Sequence, residues 1–449
     1  TQYEPADCRR VYACFEQPDL KARWRFEVDA PEGWEVLSNG AEVARVPVAD
    51  GIRVSFAETL PLSSYITAVA AGPYRRVAGL WEHGGGRIDL GVLCRASLAH
   101  HLDVDEILDV TRRGLTYFSE AFDYPYPWGK YDQIFVPEYN LGAMENPGLV
   151  TFTEAYVFRG ASTADLVTMR WWDDLWLKES FADFMGSHAA AIAGGYPDAW
   201  VSFASRRKGW AYEQDQLPTT HPIVADIVDL EAAKLNFDGI TYAKGASVLK
   251  QLVAFVGEDA FFRGAQRYFA EHAFGNTTLA DLLAALEHSS GRDLHAWSLA
   301  WLQTTGLSEI RVTRAATPVI EQTDPRPHRL TVGLYAEEAG RLVRRAGVDL
   351  DIADAETALH APVLPQAHLV VPNDDDRTYA KVRLDEESMA AVTRGLSTID
   401  DPLARSVIWA ALWNAVRDGE LPVGRYLDIV RRHAPTESRV ALLTDAITH

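Results

Sequence analysis

The sequence predicts an α+β protein of several domains, and three observations support this class. The hydropathy pattern changes along the chain from alternating to helical, back to alternating, and to helical again. The length of 449 residues allows about three domains. Hydrophobic residues make up 47% and charged residues 24%, a composition typical of globular chains with enough apolar side chains for several cores.

The first stretch, residues 1–88, is predicted to be rich in strands. Its β-prone runs are separated by Gly, Pro and Asp, which favour turns; the runs are 36–37, 43–46, 52–56 and 65–69. We expect residues 1–88 to be the C-terminal part of an N-terminal β domain.

The second stretch, residues 89–307, is predicted to mix strands with many helices. Helical spacing of apolar residues starts at about 102 and predicts a helix that ends before Asp123. A strand is expected at 132–136, followed by a Gly- and Pro-rich turn at 142–148. Further helical patterns occupy about 171–193, 197–214, 240–256, 258–273, 278–289 and 293–304.

The last two stretches each show one pattern. Residues 308–385 alternate between apolar and polar side chains, which predicts a small β domain. Residues 386–449 return to helical spacing, and we expect them to begin a C-terminal helical domain.

Charge and cysteine content exclude some classes of function. The formal net charge of -20 disfavours binding to nucleic acid and to anionic membranes. We find no uncharged apolar run of the ~18 residues that a membrane-spanning helix needs. The three cysteines are too few for a disulfide framework, and no signal peptide is visible, so we expect a cytoplasmic protein. Oligomeric state is left open.

The first candidate site segment surrounds Glu145. Pro147 lacks a backbone donor and keeps Asn146 extended, while Gly142 and Gly148 allow another backbone or a ligand to approach closely. A carboxylate on such an extended segment could bind the amino terminus of a peptide. The alternative is an ordinary strand that ends in a turn.

The second and third candidates lie in helical patterns. Glu179 falls among apolar residues, where a buried carboxylate needs a cation or a metal ion as partner. The alternative is a structural salt bridge. Tyr242 lies near a predicted helix start, where its hydroxyl could donate to a developing oxyanion, or could simply anchor helix packing.

Together these segments resemble the M1 family of zinc aminopeptidases, a gluzincin family, over nearly the whole chain. The matching motifs are Gly142-Ala143-Met144-Glu145-Asn146, Trp176-Leu177-Lys178-Glu179-Ser180-Phe181-Ala182, Ile240-Thr241-Tyr242-Ala243-Lys244-Gly245 and the opening Thr1-Gln2-Tyr3-Glu4-Pro5. Lys178 stands where the family more often has Asn. The resemblance implies a β-saddle, a thermolysin-like catalytic domain, a small β-sandwich and the start of a helical domain.

The resemblance also implies roles for individual residues. Glu145 would bind the α-ammonium group of the substrate, and Gln2 would assist it. The 142–146 segment would bind the peptide, with the backbone of Gly142 and Ala143 adding it as a strand; Met144 and Asn146 complete that segment. Glu179 would be a ligand of one zinc ion, and Tyr242 would stabilise the tetrahedral intermediate. The implied substrates are peptides with a free amino terminus.

The family's zinc motif, HExxH, is absent from the sequence. The motif supplies two histidine ligands one helical turn apart and the glutamate that activates water. In the family, its second histidine precedes the glutamate ligand by roughly eighteen intervening residues, which here corresponds to Gly160. Residues 156–160 contain no histidine, although the flanks match, so the resemblance implies that about twenty residues are missing near 160–165.

No other histidine is expected to replace the motif. His100 and His101 are adjacent and should point apart on a helix. His188 should lie on the face opposite Glu179, and His221 is expected to be structural. Either the segment is missing from the determined sequence, or the polypeptide truly lacks it.

Three functions therefore stay open at this point. The first is a zinc-dependent aminopeptidase, and the second is a metal-free peptide-binding pseudoenzyme. The third is a scaffold whose helical region after residue 386 binds partners. The preferred N-terminal residue of a substrate is also left open.

Overall fold

A computed structural model of the chain describes residues 3–139, 141–154 and 168–448. Gln2 and the junction at 160–165 lie outside the described residues. Within them the protein is a mixed α/β, multidomain structure in which strands, helices, strands and helices follow in the predicted order. None of the described helices is long and apolar enough to span a membrane.

The N-terminal strands form two small antiparallel sheets, ordered β1-β4-β3 and β2-β5. Their bounds are β1 (Glu27–Ala30), β2 (Glu35–Ser38), β3 (Glu42–Val48), β4 (Gly51–Phe56) and β5 (Val69–Gly72). The strand predicted at 65–69 is wrong, because Ser64–Ile66 is a 3-10 turn and β5 starts only at Val69. Tyr65 and Ile66 are both buried, whereas consecutive residues of a strand would point to opposite faces.

The central sheet has the order β6-β7-β8-β10-β9, which leaves the short strand β9 at its edge. The strands of this region are β6 (Tyr74–His83), β7 (Gly86–Arg95), β8 (Lys130–Val136), β9 (Ala143–Met144), β10 (Leu149–Thr153), β11 (Thr168–Met169) and β12 (Asn276–Thr277). β7, β8 and β10 are parallel, and β9 is antiparallel to β10. β7 includes both residue 88 and residue 89, between which the first predicted domain boundary lies. The four predicted domain ranges stay predictions.

Helices enclose a large apolar core beside this sheet. They are α1 (Val104–Ala121), α2 (Leu175–Ile192), α3 (Ala199–Ser202), α4 (Lys208–Asp215), α5 (Leu230–Leu235), α6 (Gly245–Val256), α7 (Glu258–His272), α8 (Leu279–Ser290) and α9 (His295–Leu302). Single π turns, Phe203–Arg207 and Ile240–Lys244, precede α4 and α6. The segments between 171 and 304 are thus helical as predicted, whereas α5 was not expected.

The remaining strands form two sheets that share one apolar core. They are β13 (Ser308–Thr313), β14 (Val319–Gln322), β15 (His328–Glu338), β16 (Arg341–Ile352), β17 (Glu356–Ala358), β18 (Leu369–Val371) and β19 (Ala380–Arg383). The helices that follow are α10 (Glu386–Gly395), α11 (Pro402–Arg417), α12 (Val423–His433) and α13 (Val440–Thr448), as the periodicity predicts.

Candidate active site

The edge strand β9 presents backbone groups beside Glu145. Thr153 N donates to Gly142 O at 2.9 Å, and Met144 lies opposite Thr151. Because hydrogen-bonded and non-bonded pairs alternate along an antiparallel ladder, the N–H and C=O of Ala143 face the open edge. Met144 itself is buried, so the predicted substrate-binding segment 142–146 has an inner and an outer side.

The turn after Glu145 is held against the N-terminal domain. Gly148 has φ +75°, and a Cβ there would lie 2.4 Å from Asn39 O, so only glycine fits. Asn39 Nδ2 donates to Pro147 O at 2.9 Å. Asn146 is 1% exposed, and its Nδ2 has no hydrogen-bond partner among the described residues. The turn therefore fixes the backbone on which Glu145 stands.

A buried ammonium group lies at the centre of the site. Lys178 Nζ lies 2.6 Å from Glu4 Oε1, 2.7 Å from Glu145 Oε1 and 3.1 Å from Glu179 Oε1. Its three N–H bonds can each meet one carboxylate. The ring centroid of Tyr65 lies 5.3 Å from the same nitrogen. The structure thus brings Glu145 and Glu179, predicted from separate motifs, around one cation.

Tyr242 lies beside Glu179: burial raises the pKa of the Glu179 carboxyl, and a side-chain interaction with Tyr242 partly lowers it. Asp238 helps to position Tyr242, since Asp238 Oδ1 accepts from the backbone N of Ile240 and of Thr241 at 3.0 Å each. The helix that follows can approach α2 because residue 245 is glycine: a Cβ there would lie 1.9 Å from Ser180 Oγ.

Burial and charge determine the protonation of this group. Burial is the largest cause that raises the pKa of Glu4, to about 8, and the nearby Glu179 and Glu145 carboxylates add to it. Burial, and then the Glu179 carboxylate, raises the pKa of Tyr242 far above its usual value. Burial opposes the charge of Lys178, but the three carboxylates together raise its pKa. Lys178 is therefore an ammonium ion, and the Tyr242 hydroxyl keeps its proton and can donate.

The residues present do not fit a catalytic zinc ion, which needs about three protein ligands. No histidine occurs in the sequence between His101 and His188, where the missing motif should lie. The described residues contain no group of three His, Cys, Asp or Glu side chains placed to hold a metal. Glu179 is the only zinc ligand predicted here, and it contacts Lys178 instead.

The four histidines considered as replacements for the zinc motif make other contacts. The rings of His100 and His101 lie 3.9 Å apart, so the expectation that they point apart is wrong; they belong to a 3-10 turn rather than an α-helix. His188 is buried against aromatic rings, including Phe184. His221 Nε2 bonds Asp238 Oδ2 at 2.9 Å, which gives it the structural role expected for it.

An apolar cavity of about 160 Å³ adjoins the carboxylates. Aromatic side chains such as Phe122, Phe181 and Phe269 line one part of it. Glu145, Asn146 and Lys178 line its polar end. Thr168 and Met169, the first described residues after 155–167, also belong to its wall. The cavity therefore lies between Glu145 and Lys178 on one side and the first described residues after 155–167 on another.

Sequence reasoning missed three contributors to the site. Glu4 lies two residues after Gln2 in the opening motif, and only the fold shows that it contacts Lys178. Lys178 was noted as a departure from the family motif, and its contacts with three carboxylates could not be foreseen. Asp238, four residues before Tyr242, carries an N-capping signal that could have been found.

Family models match three parts of the chain. The Peptidase M1 N-terminal domain matches residues 1–66, and the ERAP1-like C-terminal domain matches 369–449. The Peptidase family M1 domain matches in two pieces, 106–164 and 161–301, which meet at 161–164. This break coincides with the junction at which the motif comparison places the missing residues.

Proteins with similar sequences carry aminopeptidase names. Aminopeptidase N of Streptomyces lividans is 48% identical over 487 aligned positions, covering 99% of this chain and 56% of that protein. Aminopeptidase 2 of Candida albicans is 31% identical over 73% of this chain and 37% of its own length. Leucyl aminopeptidase of Saccharolobus solfataricus is 30% identical over 70% and 42%.

Two consequences follow from these lengths. The chain spans about half the length of the curated relatives it matches, or less. The 487 aligned positions exceed the 449 residues of the chain, so at least 38 positions of that alignment face gaps in this sequence.

Proposed function

Since this chain belongs to the peptidase M1 family, we propose that it is the peptide-binding and catalytic part of an aminopeptidase, which releases N-terminal residues from peptides. The family match and the aminopeptidase names of the relatives support this reaction class. Its substrates would be peptides with a free amino terminus.

One observation supports amine recognition above the others: the site already holds an ammonium group. Glu145 accepts from Lys178 Nζ at 2.7 Å while its side chain keeps 21% of its surface exposed at the cavity. A carboxylate that binds a buried amine in this way can bind the α-ammonium of a peptide. Gln2, which lies outside the described residues, would assist it.

The other site residues would orient the peptide and the reacting carbonyl. The outward N–H and C=O of Ala143 offer one register of strand addition along the edge of β9. The protonated Tyr242 hydroxyl can donate a hydrogen bond to a carbonyl oxygen as negative charge develops on it. In the proposed active protein, Glu179 would leave Lys178 and serve as a metal ligand.

We propose that the active protein also contains the segment that this sequence lacks. Zinc is expected from the family, and the missing segment would supply the ligands that the residues present lack. A segment inserted at 161–164 would precede Thr168 and Met169 in the chain, and these two residues line the apolar cavity, in which its apolar side chains could pack. Burial of its apolar side chains there would stabilise the domain by ~25 cal/mol per Å².

We also propose which domain each part of the chain forms. We assign residues 1–88 to the end of a β-saddle domain and 89–307 to a thermolysin-like catalytic domain. Residues 308–385 would form a β-sandwich and 386–449 the start of the helical domain. A cytoplasmic location is proposed from the low cysteine count.

Insertion of the missing segment tests the proposal. The segment of the Streptomyces relative is placed between Ala161 and Ala164, and zinc content and release of the fluorophore from leucine 7-amido-4-methylcoumarin are measured. We expect about one zinc per chain and hydrolysis that a chelator abolishes. The uninserted chain is the control and should show neither. An inserted protein that folds and holds zinc but leaves the substrate intact would contradict the proposal.

A second candidate is the metal-free peptide-binding protein. It is favoured by the 3.1 Å contact between Lys178 Nζ and Glu179 Oε1, which gives the expected zinc ligand an internal cation. Metal analysis of the protein purified from its natural source separates the two candidates. Stoichiometric zinc supports the enzyme, and its absence at neutral pH supports the binding protein.

A further inference from the structure

Three glutamate side chains surround the ammonium group of Lys178 as they would surround the ammonium group of a bound ligand. Its side chain is 5% exposed, and its nitrogen contacts Glu4, Glu145 and Glu179 within 3.1 Å. An ammonium group has three donors and no acceptor, and here three carboxylates surround it. The α-ammonium of a peptide has the same charge and the same number of donors.

An external amine would reach the same carboxylates from the cavity. Of the three carboxylate side chains, Glu145 is the most exposed, and it lines the cavity together with Lys178 and Asn146. Asn146 lines the same wall, and its buried Nδ2 has no partner among the described residues. An amine that enters the cavity would therefore meet Glu145 before the two more buried carboxyl groups.

We propose that Lys178 competes with the substrate's α-ammonium for the Glu145 carboxylate, and so limits how tightly the site binds amines. The inference rests on the proposed function and deepens it, because it names a residue of this chain that limits affinity. Glu145 Oε1 already accepts a hydrogen bond from Lys178 Nζ at 2.7 Å. A second cation must take the remaining lone pairs and stand close to a like charge, which costs free energy in a buried site.

The direction in which the Lys178→Gln affinity changes distinguishes competition from a positioning role of Lys178. If Lys178 instead held Glu4 and Glu145 in position for the substrate, its neutral replacement would weaken amine binding. Competition predicts that the neutral replacement strengthens binding, because a like charge is removed and Glu145 no longer accepts from an internal ammonium group.

The test compares Lys178→Gln with the matched control Lys178→Arg, which keeps the charge. Binding of L-leucinamide and of N-acetyl-L-leucinamide to the 449-residue chain is measured by titration calorimetry at neutral pH. We expect Lys178→Gln to bind leucinamide at least ~10-fold more tightly than the wild type, and Lys178→Arg to stay within about threefold. Equal or weaker binding by a folded Lys178→Gln protein overturns the inference.

A measurement on the wild type tests the inference even if the Lys178→Gln variant fails to fold. The Nζ resonance of Lys178, assigned by its loss in Lys178→Arg, should shift when leucinamide is added and stay unchanged with the acetylated compound. An unchanged resonance at saturating leucinamide also overturns the inference. If leucinamide and its acetylated form bind with equal affinity to every variant, the proposed amine recognition is wrong. If leucinamide binds more tightly than the acetylated form but Lys178→Gln does not raise its affinity, only the competition by Lys178 is wrong.

Discussion

At the residue scale, the neighbours Lys178 and Glu179 explain why the site could be predicted only in part. The sequence predicted that Glu179 is buried and needs a partner, either a metal ion or the cation of a structural salt bridge. Successive helical residues diverge by about 100°, which favours partners on other elements. The long Lys178 side chain nevertheless reaches Glu179 while also contacting Glu4 and Glu145, which come from distant parts of the chain. Such convergence depends on the tertiary fold.

Neutralising Glu145 should weaken amine binding. A charge-assisted hydrogen bond contributes about 1.5–3 kcal/mol, so Glu145→Gln should lower the affinity for a free-amine tripeptide by roughly 10- to 100-fold. The N-acetylated tripeptide should bind equally to both proteins. Glu386→Gln, on the exposed first turn of α10, is the control and should change neither affinity. An unchanged affinity in Glu145→Gln would remove Glu145 from the site.

His221 should make stability depend on pH. Its hydrogen bond to Asp238 is the largest cause that raises the pKa of His221 above its usual value. A raised folded pKa means that the stabilisation is fully present below the unfolded pKa of about 6.5 and is lost as pH rises through the folded pKa. The difference in thermal midpoint between wild type and His221→Gln should therefore be larger at pH 5.5 than at pH 9. The same difference at both values would count against this ion pair.

At the element scale, long periodic segments were predictable and short irregular ones were not. The helices α1, α2 and α6 begin or end within a few residues of their predicted bounds, apart from flanking 3-10 and π turns, because one apolar stripe repeats over several turns. α5 has only six residues, too few for a repeat, and its start depends on the Asp229 cap. The turn Ser64–Ile66 was mistaken for a strand because burial, rather than β-propensity, determines its backbone.

The close packing of α2 against α6 gives a prediction about Gly245. A Cβ at this position would lie 1.9 Å from Ser180 Oγ, so Gly245→Ala must push the two helices apart. We expect a loss of about 2 kcal/mol in the free energy of unfolding and weaker amine binding, because Glu179 stands on α2 and Tyr242 on the π turn that leads into α6.

Gly424→Ala is the matched control, since a Cβ at this α12 position meets no atom within 4 Å. Alanine there should be neutral or slightly stabilising. Removal of the Ser180 hydroxyl in a Gly245→Ala/Ser180→Ala double variant should restore part of the lost stability. A Gly245→Ala protein as stable as Gly424→Ala would show that the helices can separate at no cost.

At the scale of the whole molecule, the order of β and α regions followed from hydropathy alone, whereas the connections between them did not. Asp376, between β18 and β19, accepts from Lys208 Nζ at 2.5 Å and from Lys250 Nζ at 3.0 Å. These lysines stand on α4 and α6, so one buried carboxylate joins the helical core to the second pair of sheets. No sequence pattern identifies such partners, which lie more than a hundred residues apart.

Removing this carboxylate should destabilise the junction between the two regions. Asp376→Asn leaves two buried ammonium groups without their counter-ion, and we expect a loss of about 3 kcal/mol or more. Asp354→Asn, on the exposed turn before β17, should cost little. Chemical denaturation followed by circular dichroism compares the two variants; similar midpoints would mean that Asp376 does not join the regions.

The central claim is that this chain recognises the free amino terminus of a peptide through Glu145. It is tested most directly by titration calorimetry of the wild-type chain with a tripeptide and with its N-acetylated form at neutral pH. The account predicts clear binding of the free peptide and at least ~10-fold weaker binding of the acetylated one, because acetylation removes the charge that the carboxylates bind. Equal affinity for the two peptides would contradict it.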